Sequence, residues 1–408
     1  MQEKRVVITG IGLITPLGIG KEVFWDAAAR GQNGIRPITS FDTTDFKTKV
    51  GGEVPGFNSA DYMSAAQAAT MGRGSQFAVA AAGLALSDAR IAASVIDPYR
   101  IGVTMGTTMG EPQILEQIIA YKYKNNATAG ISTSLPRHYP ANTLATSIAN
   151  TNNIRGPVIM IPCACAAGNY AIGYAYDLIK NNRIDIALTG GSDPLSRIAF
   201  TGFNRLLATA DDVVQPFDKN RKGMAVSEGC GILVLESLDH ALQRSAPVYA
   251  EVLGYGLACD AYKMTIPDPT GSGGILALQR ALKNAGIAPE KIDYISAHGT
   301  GTGENDKVET LIIKQVFGSR AATIPVSSQK SMLGHTMGAA SAIEAAVCAL
   351  TIHTGTILPT INYITPDPEC DLDVVPNTAR QAKVNYAVSN AYAFGGNTSS
   401  LILSAFSR

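Results

Sequence analysis

The sequence predicts an α/β protein of two similar halves, with mostly parallel strands covered by helices. Three observations carry that prediction. Short β-branched runs alternate with Ala-rich stretches of helical length along the whole chain. Two pairs of segments repeat weakly across a junction near residue 248. Only 16 % of the 408 residues are charged while 40 are glycine, so the layers must pack closely and long solvated tails are not expected.

The first element is a strand from Arg5 to Thr9. The apolar opening Val6–Gly20 is interrupted by Thr9, Thr15, Pro16 and four glycines, and no small-residue cleavage site follows. It therefore reads as a buried strand and a tight loop, not a signal peptide. A helix over Gln76–Ser87 and strands at Ile101–Met105 and Val158–Pro162 come next, then a helix over Ala166–Lys180 and strands at Ile184–Thr189 and Gly231–Glu236. After Val248 a second set follows: a strand at Ala250–Tyr255, a helix over Gly274–Ala285, strands at Ile292–Ala297 and Ile324–Val326, a helix over Ala339–Ile352, and closing strands near Tyr386 and Leu401. Residues 1–248 and 249–408 are expected to form the two halves. Arg100–Thr108 parallels Lys291–Thr300, and Val158–Pro162 with its Cys-Ala-Cys turn and helix parallels Ile324–Ser328 and the segment Gln329–Leu350. In each pair the reactive residues follow the C-terminal end of a strand, where ligands bind in α/β sheets, so the site is expected between the halves.

Several function classes fall away. Basic and acidic residues number 33 each, which removes the electrostatic argument for a nucleic-acid or anionic-membrane partner. About 18 uninterrupted apolar residues would be needed for a membrane span, and no such run occurs, so a soluble, cytoplasmic protein is expected. Six cysteines in a chain this long do not make a disulfide framework, and reduced thiols are expected. Gly10-Ile-Gly12 starts like a dinucleotide fingerprint, but the third glycine is absent and Pro16 stands where a helix should open. Ala225-Val-Ser227-Glu-Gly229 is one residue away from a hydrolase elbow and leads into a strand. The lone pair Cys163 and Cys165 cannot supply four zinc ligands.

What remains is a candidate nucleophile and two histidines. Cys165 falls at the N-terminus of a helix, where the peptide dipoles and free amides favour a thiolate. The bland alternative for Cys163 and Cys165 is a pair of small buried residues. His298 and His335 stand in Gly/Thr-rich loops after strands, where small neighbours let a substrate approach. A single loop histidine is usually ordinary, as His138, His240 and His353 are expected to be. Two of them, each closing a strand opposite a candidate thiolate, favour chemistry. Lys330 and Glu344 flank His335 in a stretch with few other charges and are expected to be a buried pair that positions the histidines.

These residues sit in blocks that span the chain: Gly10–Gly18, Pro216–Gly223, Glu228–Glu236, Val326–His335 and Asn390–Gly396. In that order the blocks resemble the elongating (type II) β-ketoacyl-acyl carrier protein synthases, including the ketosynthase subunits of type II polyketide systems. The resemblance implies a thiolase-like fold, two pseudo-symmetric halves in α-β-α-β-α layers, the nucleophile in the first and both histidines in the second. It implies an acyltransferase that carries out a decarboxylative Claisen condensation, with Cys165, His298, His335 and Lys330 as catalytic residues. Thr300, Thr302, Phe394, Met109 and Glu344 are implied around the substrate: the two threonines on the phosphopantetheine arm, Phe394 as the gate at the nucleophile, Met109 as the gate to the acyl pocket, and Glu344 paired with Lys330 behind the histidines. No metal or bound cofactor is implied, because acyl carrier protein brings the substrates. The implied assembly is a homodimer or a heterodimer with a chain-length factor.

The chain departs from the family pattern in places. Cys163 and Ala167 stand where Thr or Ser is usual, Asn397-Thr398 inverts the usual order, and Lys263 replaces a histidine in the Asp260–Thr265 loop. Arg137 and His138 stand where the housekeeping enzyme has an aromatic pair beside the acyl pocket, which favours a polyene or polyketide chain over a saturated one. Three rivals remain: a housekeeping fatty-acid elongation synthase, a non-catalytic chain-length partner, and an initiating synthase or thiolase. Cys165 argues against the second, and His335 with Lys330 against the third.

Overall fold

The computed structural model describes residues 3–91 and 97–407. Both halves of the chain build the same sheet. In the first, β1 (Val6–Thr15), β2 (Ile101–Gly106), β3 (Val158–Ile161), β4 (Ile186–Asp193) and β5 (Gly229–Ser237) lie in the order β3-β2-β4-β5-β1. In the second, β6 (Ala250–Cys259), β7 (Tyr294–Ser296), β8 (Val326–Ser327), β9 (Tyr386–Tyr392) and β10 (Asn397–Ser404) lie in the order β8-β7-β9-β10-β6. Counted within its own half, each sheet reads third, second, fourth, fifth, first. β2 and β7 hold equivalent places, as do β3 and β8, which are the strands that the weak sequence repeat aligns.

The expectation of mostly parallel sheets needs correction. The pairs β2–β3, β2–β4, β7–β8 and β7–β9 are parallel, but β4–β5, β5–β1, β9–β10 and β10–β6 are antiparallel. Parallel neighbours need a crossover, and β9 reaches β10 through a tight turn at Phe394–Gly396, which only an antiparallel pair allows. Three antiparallel pairs, Val6–Val252, Val7–Glu251 and Ile8–Ala250, join the two sheets edge to edge.

Helices cover both faces. Helix α1 (Arg73–Asp88) packs on the outer face of the first sheet, and α3 (Ser272–Ala285) and α4 (Gly303–Phe317) pack on that of the second. Between the sheets run α2 (Ala167–Lys180) and α5 (Ala340–Thr354), each following the third strand of its half. The layers are therefore α-β-α-β-α. Strand β1 is buried at every residue, as a strand covered on both faces must be. Its glycines serve packing: a Cβ on Gly10 or Gly12 would lie 2.2 Å from the Ala85 carbonyl or 2.0 Å from the Ala81 carbonyl of α1. Met337–Thr354 is apolar and long enough to cross a membrane by composition, yet 83 % of it is buried between the sheets as the central helix.

Candidate active site

The site lies where the loop after the third strand of the first half meets the loops after the second, third and fourth strands of the second. A cavity of about 310 Å³ opens there, and its lining includes Cys165, His298, His335, Thr300, Thr302 and Phe394. Six of the nine residues singled out from the sequence thus meet at one surface.

Cys165 owes its position to a sharp turn after β3. Ala164 adopts φ +47°, a left-handed conformation that costs a non-glycine residue about 1–2 kcal/mol, and the chain then enters a short 3₁₀ turn leading into α2. The backbone amides of Phe394 and of Cys165 itself and the Lys330 charge all act to stabilise the Cys165 thiolate. Burial is the largest influence and pushes the thiol up to about 11. The thiol is therefore neutral: at this depth burial outweighs the amides and the lysine charge that favour its thiolate. Cys163 is half-buried and does not line the cavity.

The two histidines share one hydrogen-bonding logic. His335 Nδ1 accepts from the Met337 amide at 3.1 Å, and His298 Nδ1 lies 3.3 Å from the Lys330 ammonium, which can only donate. Each ring therefore carries its proton on Nε2. Their centroids are 5.5 Å apart at 83°, edge to face. Burial drives both pKa values well below the usual histidine range, and the Lys330 charge adds to it, so both rings are neutral donors.

Lys330 and Glu344 are each 2 % exposed and pair with one another. Neither lines the cavity. Lys330 reaches His298 Nδ1, and Glu344 pairs with the lysine on the side away from the cavity lining. Burial pushes the Glu344 carboxyl up to about 7 despite the lysine. Met109 also lies outside the lining: it sits on the loop after β2, 37 % exposed in the single chain. Arg137, exposed, and His138, half-buried, sit in a short 3₁₀ turn at the surface and do not line the cavity either.

The threonine loop is held from behind by two carboxylates that the sequence reading missed. Asp306 and Glu309 lie three apart on α4 and so share a face. Glu309 accepts the amides of His298 (2.8 Å) and Gly299 (2.7 Å), and Asp306 accepts those of Thr300 (3.1 Å) and Gly301 (3.2 Å). Burial raises both, Glu309 to about 8. Arg221 donates to the Thr302 carbonyl at 3.1 Å and pairs with Asp367 at 2.5 Å. The loop thus presents the Thr300 and Thr302 hydroxyls, 2.9 Å apart, to the cavity.

Phe394 also lines the cavity. It packs 5.5 Å from Phe203, and the next two residues, Gly395 and Gly396, have φ of +81° and +80°, which only glycine adopts freely. The Gly395 amide bonds the Met264 carbonyl at 2.7 Å, tying this turn to the loop that carries Lys263 along the cavity. The inverted Asn397-Thr398 leaves the Thr398 hydroxyl buried without a hydrogen-bond partner.

Comparisons with known proteins show the family. The model of the β-ketoacyl synthase N-terminal domain matches residues 3–241 and that of the C-terminal domain residues 249–364. A 3-oxoacyl-[acyl-carrier-protein] synthase 2 from Synechocystis sp. is 40 % identical over 98 % of each chain. Among solved structures, a chain of the ishigamide ketosynthase/chain length factor is 43 % identical with a TM-score of 0.96, covering 99 % of this chain and 100 % of that one. A chain of AntDE:AntF, a type II polyketide synthase acyl-carrier protein in complex with its ketosynthase bound to the hexaketide, is 35 % identical with a TM-score of 0.92, covering all of both.

Proposed function

The chain belongs to the β-ketoacyl synthase family, and from that premise we propose that it is an elongating β-ketoacyl-acyl carrier protein synthase that extends an acyl chain held on Cys165. One observation carries the reading: two neutral histidines, each with its proton on Nε2, line the same cavity as a thiol flanked by two backbone amides.

In the first half-reaction the Cys165 sulfur attacks the thioester of an acyl-carrier protein. The carbonyl oxygen becomes an oxyanion, and in this reading the amides of Cys165 and Phe394, which favour negative charge at the sulfur, donate to it. Collapse expels the pantetheine sulfur, which takes up the proton that Cys165 gives away. In the second half-reaction the arm of malonyl-carrier protein lies along Thr300 and Thr302. The bond to its carboxylate breaks, carbon dioxide leaves, and the electron pair passes into an enolate whose oxygen accepts the two Nε2 protons as hydrogen bonds. Neutral rings suit this step, since they stabilise the charge without protonating the carbanion. The enolate carbon then attacks the acyl-cysteine, a carbon–carbon bond forms, and the Cys165 sulfur leaves and takes one proton from solvent. The thioesters carry all of the chemistry, so the reading calls for no bound cofactor or metal.

A polyketide or polyene chain, in a cytoplasmic setting, is the finer reading. The identity to the ishigamide ketosynthase/chain length factor supports it, slightly above that to the synthase 2 relative. The far wall of the acyl pocket then comes from a second chain, a copy or a chain-length factor. Strand β3 supports such a partner: it is a sheet edge whose four apolar residues Val158–Ile161 are all only half-buried.

His298→Ala and His335→Ala test the mechanism. Each should still acylate Cys165 but release carbon dioxide from malonyl-carrier protein about 10²–10³-fold more slowly, the usual cost of losing one oxyanion donor. Normal carbon dioxide release by both variants would show that the histidines do not serve this step.

A further inference from the structure

Asp193 ends β4, is 2 % exposed and lines no part of the cavity, yet it holds two loops of the site at once. Its Oδ1 accepts from the Thr107 hydroxyl at 2.7 Å and the Met109 amide at 3.1 Å. Its Oδ2 accepts from the Thr108 amide at 2.8 Å and the Gly338 amide at 2.7 Å. Three of these donors belong to the loop after β2, which carries Met109. The fourth belongs to the turn Met337–Ala339, which begins two residues after His335, and the neighbouring Met337 amide is the donor that orients the His335 ring.

The two loops also touch. A Cβ on Gly338 would lie 2.6 Å from Thr107 C and Thr108 N and 2.7 Å from Asp193 Oδ2, so there is no slack between them. A shift of Thr107–Gly110 must therefore either break charge-assisted hydrogen bonds to Asp193 or carry the Gly338 amide with it. Activation of the nucleophile does not account for the carboxylate, because its charge acts against ionisation of Cys165.

We propose that Asp193 is a positioning residue that makes the placement of His335 depend on the Thr107–Gly110 loop, so that the first half of the molecule sets the rate of the second half-reaction. The proposal rests on the ketosynthase reading above and deepens it: the two half-reactions share a mechanical part besides Cys165.

Two partial reactions separate this role from a merely structural one. The first is acylation of Cys165 by acyl-carrier protein alone, read by intact mass. The second is carbon dioxide release from malonyl-carrier protein by enzyme already acylated. Asp193→Asn keeps the size but turns an amide NH₂ toward two of the four donors. It should slow carbon dioxide release tenfold or more while acylation stays within about twofold. Thr107→Val removes two hydrogen bonds on the Met109 side only, that of the hydroxyl to Asp193 and that of the Gly110 amide to the hydroxyl, and should slow carbon dioxide release about two- to tenfold with acylation unchanged. The valine variant decides the matter even where the asparagine variant does not fold. Unchanged carbon dioxide release in Thr107→Val, or equal losses in both half-reactions, would overturn the proposal. A wild-type enzyme that forms no Cys165 adduct would instead overturn the ketosynthase reading, and the proposal with it.

Discussion

A thiol at a helix N-terminus usually ionises early, because aligned peptide dipoles and free amides stabilise its anion. Cys165 has that address and remains a thiol, since burial raises its pKa to about 11. A raised thiol pKa means the neutral form dominates below it, so the thiolate fraction is ~10⁻⁴ at pH 7 and grows about tenfold per pH unit. Alkylation of the free enzyme by iodoacetamide should therefore accelerate about tenfold per unit from pH 7 to 9 without a plateau. Cys163→Ser should leave that profile in place. A plateau with a midpoint near pH 7 would contradict the burial argument. Cys165, His298 and His335 were legible because each is a reactive side chain among small residues at the end of a strand. Asp306, Glu309 and Asp193 were not. On a helix a pair of acids reads as a solvated face, and nothing in the sequence says that this face turns inward to hold backbone amides.

The glycines of β1 show the same limit for elements. Gly10 and Gly12 resemble a nucleotide-binding fingerprint, and their use is to let α1 lie against the strand. Gly12→Ala would drive a Cβ into the Ala81 carbonyl, 2.0 Å away, and should destabilise the fold by about 1–3 kcal/mol or more. Gly83 lies on the exposed side of α1 with nothing within 4 Å of its Cβ position. Gly83→Ala should stabilise by about 0.5–1 kcal/mol, because it removes freedom from the unfolded chain. Thermal or denaturant unfolding of the pair checks both signs, and a neutral Gly12→Ala would show that α1 is free to shift. The positions of strands and central helices were legible from β-branched runs and Ala-rich stretches. The direction of β5, β1, β10 and β6 was not, because pairing sense depends on the connections between strands more than on their composition.

For the whole molecule, the repeated strand order explains why the chemistry divides as it does. The loop after the third strand brings Cys165 in the first half and His335 in the second, and the loop after the second strand brings Met109 and His298. The weak repeat at Arg100–Thr108 and Lys291–Thr300 made this division visible in the sequence. Contacts that cross between halves, such as Asp193 to Gly338, become visible only once the sheets are joined. The central claim, that Cys165 carries the growing chain, is tested most directly by mass spectrometry of the Cys165 peptide from the purified enzyme. The enzyme is first given a saturated or a polyene acyl-carrier protein, and then malonyl-carrier protein. An acyl adduct should form on Cys165 with the first reagent, more completely with the polyene donor, and disappear with the second as 3-oxoacyl-carrier protein accumulates. Product formation with no adduct on Cys165, or an adduct on Cys163 in its place, would contradict the account.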